Sequence, residues 1–273
     1  MFECVINISE GRDLALLDQL SIASGDSLRD RHYDWFHNRT VFTLINEAAT
    51  LRDDLRRLIA LAYQSVDLRT HVGAHPRFGV VDVVPFVALA PDRSSEACAL
   101  RDETAHWLSA TFDVPVFLYG PLDHEVTRSL PDVRRRAFGD LAPDYGPHTV
   151  PPARGAAAVG CRPILVAWNL WLEHVTLIEA RRVARALRQP ALRTLAFQLG
   201  DAVQLSCNLI DQNVLTLSTI YDNVLGQLGP NGRIDRAELV GLLPASLLNQ
   251  EDPQRWEQLG LSSDATIEAR LRA

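Results

Sequence analysis

Between His71 and Leu89 the chain changes character within a few residues. His71, Gly73, His75, Pro76, Arg77 and Gly79 make a polar turn, and residues 80–89 are an apolar run broken only by Asp82 and Pro85. A run this apolar reads as a buried strand, so the turn must deliver the chain rigidly into a core. Gly73 and Gly79 accept backbone angles that a Cβ opposes, and Pro76 fixes its own φ. Two imidazoles and one guanidinium ride on that turn. Imidazole gives or takes a proton near neutral pH, and guanidinium is a fixed fork for carboxylates. The residues therefore support two readings: a proton-transfer residue beside an anion clamp, or a capped turn whose His and Arg bond to solvent and nearby backbone.

On either side of this turn the pattern alternates between strand and helix. Residues 2–8 read as a first strand, followed by Asn7, Ser9, Glu10, Gly11 and Arg12, with Ser9 as a cap. Residues 13–23 carry Leu14, Leu17 and Leu20 at helical spacing and stop at Gly25. Residues 27–34 are a poor strand by pattern, crowded with charge, and residues 40–45 a convincing one. The stretch 30–39 between them holds two His, two Asp, two Arg and one Asn, where a plain hairpin connection would carry Gly and Ser. Residues 51–68 form an amphipathic helix, 94–110 another capped by Ser94, and 113–120 a short buried strand. Residues 121–160, rich in Pro and Gly, read as an irregular connector in which Arg134, Arg135 and Arg136 make a solvated helix end. From Arg162 onward, strand 164–172, helix 175–188, strands 193–199 and 203–209, helix 214–225 and strand 234–243 give the split β-α-β order of a ferredoxin-like domain. The expectation is an α/β (α+β) protein of two ferredoxin-like units, 1–160 and 161–273, with sheets facing a central groove. In strand 164–172, Trp168 and Trp171 read as core, with Asn169 pointing the other way; Asn208 has a similar placement on the later strand.

Composition narrows the function. The 27 basic side chains are all Arg, which removes Schiff-base and P-loop lysine chemistry. A formal net charge of −7 opposes general binding to nucleic acid or acidic membrane. Cys4, Cys98, Cys161 and Cys207 are far apart and read as reduced thiols. No run reaches membrane-spanning length, and the expected compartment is the cytoplasm.

Three ordered motifs then carry a family resemblance. Glu3 to Arg12 matches Glu-Cys-Val-x-Asn-x-Ser-Glu-Gly-Arg. Asp30, His32, Asp34, His37, Asn38, Arg39, Val41 and Thr43 match Asp-x-His-x-Asp-x-x-His-Asn-Arg-x-Val-x-Thr. His71 to Phe86 matches His-x-Gly-x-His-Pro-Arg-x-Gly-x-x-Asp-Val-x-Pro-Phe. The chain resembles the formiminotransferase family, in its stand-alone bacterial type without a cyclodeaminase domain. That resemblance implies transfer of a formimino group from N-formimino-L-glutamate to N5 of tetrahydrofolate, in histidine degradation and one-carbon metabolism. It implies a homodimer, tetrahydrofolate as co-substrate and no metal. It makes His75 the catalytic acid/base. The expected substrate and folate contacts are His32, Asp34, His37, Asn38, Arg39, His71, Arg77, Asn7 and Glu10, with Asn169 and Asn208 in the second half. The chain departs from the family where a glycine-rich basic loop is replaced by the short stretch 188–193, which bears on substrate choice. The alternatives are a paralogue acting on another one-carbon folate adduct such as 5-formyltetrahydrofolate, a non-catalytic folate binder, and a metal hydrolase using His32, Asp34, His37, His71 and His75.

Overall fold

A computed structural model describes residues 1–74, 77–122 and 126–272. The chain divides into two compact units, Met1–Ile164 and Leu165–Ala273.

The first unit opens with β1 (Phe2–Ile8), α1 (Leu14–Ala23), β2 (Leu28–Asp34), β3 (Arg39–Asn46), α2 (Ala48–Ser65) and β4 (Val81–Ala88). Alternation in β1 sends Phe2, Cys4, Ile6 and Ile8 to one fully buried face and Glu3, Val5 and Asn7 to the other. The buried face packs under α1 and α2, whose inward residues include Leu17, Leu20, Leu51, Leu55, Leu58 and Ile59. α3 (Ser94–Phe112) completes that layer. These four strands lie in the order β2-β3-β1-β4, all antiparallel, which is the ferredoxin-like arrangement. The charged segment 27–34 forms a strand because β2 is a sheet edge paired only with β3, so its polar side chains need no full burial.

The stretch read as an irregular connector is the main correction. It holds β6 (Thr127–Arg128), α4 (Leu130–Arg136) and β7 (Ala157–Cys161), after β5 (Val116–Pro121). β7 is an interior strand, inserted between β4 and β5 and parallel to both, and the sheet runs β2-β3-β1-β4-β7-β5-β6. Its residues, Ala157, Ala158, Val159, Gly160 and Cys161, are poor strand formers apart from Val159. They are required by packing: a Cβ on Gly160 would run into the Tyr119 ring. The second face of this region is closed by α4 and the chain around it, through Val83, Phe117, Tyr119, Val133 and Ala158, so helices do not keep to one face of the sheet.

Two caps also differ from expectation. Asp13, not Ser9, caps α1 by accepting from Leu16 N at 3.0 Å, while Ser9 Oγ donates to Gly79 O at 2.7 Å. Ser94 is the first residue of α3, and its hydroxyl donates to Pro91 O.

The second unit contains β8 (Val166–Glu173), α5 (Leu177–Leu187), β9 (Leu192–Leu199), β10 (Ala202–Leu209), α6 (Leu217–Leu225), β11 (Arg233–Val240), α7 (Ala245–Leu248) and α8 (Ile267–Arg272). Its sheet order, β11-β8-β10-β9, again antiparallel, is the ferredoxin-like order expected from the sequence. Thr176 and Glu179 form a capping box at the start of α5. The short stretch after α5 is a tight turn in which Gln189 and Leu192 exchange backbone hydrogen bonds at 3.1 and 2.9 Å. Trp168 is core, but Trp171 is on the opposite face with Asn169, because residues two apart share a face of a strand. Its indole N–H donates to Glu238 at 3.0 Å, and Arg236 lies 4.1 Å from the ring centroid.

Candidate functional site

The second and third sequence motifs meet in the first unit, where the β2–β3 connection packs against the turn after α2. Asn38 is the joint. It is buried, its φ is +48°, its Oδ1 accepts from Gly11 N at 2.9 Å, and its Nδ2 donates to Val72 O at 3.0 Å. Its carbonyl accepts from His71 Nε2 at 2.9 Å. The Ala74 N–H donates to Phe36 O at 3.0 Å, and Arg77 Nη2 donates to His71 O at 2.6 Å. Gly73 is required here, since a Cβ would collide with the His37 carbonyl. The turn that precedes position 75 is therefore stitched, atom by atom, to residues 36–38. His75 itself lies outside the described residues.

His71 is buried and bonded through Nε2 to a carbonyl, which fixes the proton on that nitrogen. Nδ1 is left as the acceptor, and it has no partner among the described residues. Burial is the main influence holding the His71 pKa below the usual imidazole value. The Asn38 carbonyl opposes this, Arg77 adds to it, and Glu10 and Arg12 contribute with opposite signs. His71 is thus a neutral imidazole in a mixed field of one carboxylate and two guanidinium groups.

Around this joint the remaining candidates fall into two groups. Glu10, just past β1, spends one carboxylate oxygen on the Arg12 and Asp13 amides at 2.7 and 2.9 Å, so its ground-state role includes shaping the turn into α1. Asp34 Oδ1 accepts from His37 N at 2.8 Å, and Asp34 Oδ2 stands 3.9 Å from His37 Nε2. His32 and Asn7 occupy one row across the sheet, each the register partner of Val41, on the face away from α1 and α2. Asn7 Nδ2 donates back to Val5 O. Arg39 is the register partner of Asp34. Burial lowers the Arg39 pKa, Asp82 and Asp34 pull it back, and Arg134 lowers it further, so these four charges form one cluster.

Asp82 and Arg134 are the pair that sequence reasoning missed. A register shift between Asn7 and Ile8 inserts Asp82 as an extra residue in β4. Its carboxylate is 1% exposed, accepts from Phe78 N at 2.6 Å and pairs with Arg134 Nη2 at 2.6 Å. Arg134 had read as a solvated helix end; it is half-buried and anchors α4 to the strand that leaves the His71 turn. Asp82 interrupting an apolar run was the available signal, since a buried carboxylate needs a cation.

In the second unit, Asn169 Nδ2 approaches Glu238 Oε2 at 3.5 Å, and Asn208 is half-buried on β10 opposite Ala167. They are on different cross-strand rows, since Asn169 faces Ser206. Among the described residues, no three His, Cys, Asp or Glu side chains converge as a metal site.

The joined motifs are those of a known protein family. The profile of the formiminotransferase domain, N-terminal subdomain, matches residues 1–162. The chain belongs to the formiminotransferase family. It is 29% identical over 271 residues to the glutamate formimidoyltransferase of Streptococcus pyogenes serotype M1, covering 90% of each chain. It is 30% identical over 272 residues to the glutamate formimidoyltransferase of Thermoplasma acidophilum, covering 91% of this chain and 89% of that one. Against the formimidoyltransferase-cyclodeaminase of Rattus norvegicus the identity is 29% over 275 residues, and the match spans 51% of that longer chain. The match to this formiminotransferase family member thus extends across both fold units.

Proposed function

We propose that this protein transfers the formimino group of N-formimino-L-glutamate to N5 of tetrahydrofolate, with His75 as the acid/base. The observation that carries the reading is the locked junction of the two polar motifs through Asn38, His71 and Arg77. Polar motifs held this tightly by backbone bonds are suited to positioning two reactants, which removes a substantial part of the barrier to a group transfer.

The chemistry assigns a role to each part. The N5 lone pair attacks the formimino carbon, and a new carbon–nitrogen bond forms as the carbon becomes tetrahedral. The proton on N5 passes to the imidazole of His75. The bond between that carbon and the glutamate nitrogen then breaks, and the same imidazole returns the proton to the departing amine. Both substrates carry carboxylates, and the net charge of −7 makes local cations necessary. Arg77, exposed and hinged on the His71 carbonyl, is the clamp at the turn. His71, neutral with Nδ1 as an acceptor, and Asn38 keep the turn in place. Asn169 and Asn208 are the proposed contacts from the second unit. The protein acts as a cytoplasmic homodimer in this reading, and its free thiols Cys4, Cys98, Cys161 and Cys207 suit a reducing compartment. Among the described residues, no helix is long and apolar enough to cross a membrane.

A second reading, transfer or binding of another one-carbon folate adduct, is favoured by the tight turn at Gln189–Leu192. The deciding experiment is turnover of formimino-glutamate with tetrahydrofolate by wild type and His75→Ala. Turnover in the wild type, reduced about 1,000-fold or more in the variant, is the expected result, a factor within the reach of acid/base catalysis and orientation together. Folate binding without wild-type turnover would transfer the conclusion to the second reading.

A further inference from the structure

The tip of the β2–β3 connection carries aromatic side chains that the folding of the unit leaves uncovered. Trp35 is 59% exposed and Phe36 44% exposed, and Val72 beside them is 70% exposed. Positions 35 and 36 are two of the positions that the motif leaves unspecified, so the motif itself does not call for aromatic residues there. They are fixed in place from behind. The Phe36 carbonyl accepts from Ala74 N at 3.0 Å, one residue before His75 in sequence. The Trp35 carbonyl accepts from Arg12 Nε at 3.0 Å, and the Arg12 guanidinium carbon lies 5.4 Å from the indole centroid. Arg12 has no carboxylate within ion-pair distance among the described residues, although its charge reaches His71.

Exposed indole beside a guanidinium held by its Nε leaves two features free: an aromatic face and the outward edge of a cation. A ligand that satisfies both has a planar ring bearing a carboxylate a few bonds away. Resting on the transferase reading above, we infer that Trp35, Phe36 and Arg12 form the docking platform for the p-aminobenzoyl-glutamate arm of the folate. The ring stacks on Trp35 and Phe36, and the α-carboxylate of the glutamate meets Arg12. This gives the platform a share in positioning the pterin at the locked turn, because the arm is the part of the folate remote from N5. Binding energy from the remote arm is then available for alignment at the reacting nitrogen.

The test uses p-aminobenzoyl-L-glutamate as the probe, by calorimetry on the full chain, with tetrahydrofolate kinetics beside it. Wild type should bind the fragment. Trp35→Ala should weaken it about tenfold or more and raise the KM for tetrahydrofolate by a similar factor, with the KM for formimino-glutamate unmoved. Arg12→Gln should weaken p-aminobenzoyl-glutamate more than p-aminobenzamide, which lacks the carboxylate. Circular dichroism should show both variants folded, since Trp35 is exposed and Arg12 is half-buried at the surface. Equal fragment binding by wild type and Trp35→Ala overturns the platform, as does a wild type that turns over tetrahydrofolate without binding the fragment. A wild type that binds the fragment through Trp35 but transfers no formimino group overturns the transferase reading and leaves the platform standing.

Discussion

Asn38 shows how much one side chain decides. Its φ of +48° falls in the left-handed region, which Asn tolerates better than other residues with a Cβ. Its amide supplies an acceptor to Gly11 and a donor to Val72, and its carbonyl holds His71. Asn38→Ala removes both side-chain bonds, leaving the Gly11 N–H buried and the Val72 carbonyl part-buried without their partners, at about 1 to 3 kcal/mol each. The expected loss is roughly 3 kcal/mol or more in a denaturant melt, together with a raised KM for both substrates. Asn38→Gly relieves the backbone yet loses the same bonds, and should recover only about 1 kcal/mol of the deficit. Recovery to wild-type stability in the Gly variant would show that backbone angle, not bonding, is what Asn38 supplies. The residue was legible in the sequence as part of a dense polar stretch. Its function as a joint between motifs more than thirty positions apart was not, because no local pattern encodes which backbone groups a side-chain amide will meet.

Elements followed periodicity where burial was one-sided and escaped it where burial was complete. α2 and α5 follow from apolar spacing because each has one wet and one dry face, and β1 from the alternation of a fully buried face with one that is half-buried at Val5 and Asn7. β7 was not read, since its short, small residues are selected by a Tyr119 ring lying over Gly160, a long-range constraint. α4 is legible only at its Arg134–Arg136 end, for a related reason: its cap, Ser129, and its inward Val133 are too few to stand out among prolines. The Asp82–Arg134 pair ties these elements to the turn. Arg134→Ala leaves the Asp82 carboxylate buried with its closest cation gone, and the expected cost is roughly 2 to 4 kcal/mol, read as a lowered denaturant midpoint. A change under about 0.5 kcal/mol would mean that Arg39 alone neutralises Asp82.

The stability of the whole molecule should carry the mark of Glu3, on the face of β1 opposite Cys4. Burial raises its pKa to about 7, with Arg162 opposing. Between the ordinary carboxylate value and about 7, the native protein therefore keeps a proton that the unfolded chain has released. Stability from this group is full at acid pH and falls as pH rises through that window, by roughly 3 kcal/mol in total. Glu3→Gln, which cannot ionise, should flatten this part of the profile and make the protein more stable than wild type at pH above about 7. Melting curves across that window check it; parallel profiles for the two proteins would show that Glu3 is already ionised in the native state.

The sequence by itself determined the family, through three ordered motifs, and the alternation of strands and helices that makes two ferredoxin-like units. It determined these because side-chain period and turn chemistry are local properties, written residue by residue. Tertiary structure decided that β7 enters the sheet between β4 and β5, that Asp82 is neutralised by Arg134, and that Trp171 turns away from the core. It also decided that the exposed Trp35 is braced against Arg12. Each of these depends on groups that meet only after the chain has closed on itself, where packing and desolvation choose partners without regard to separation in sequence.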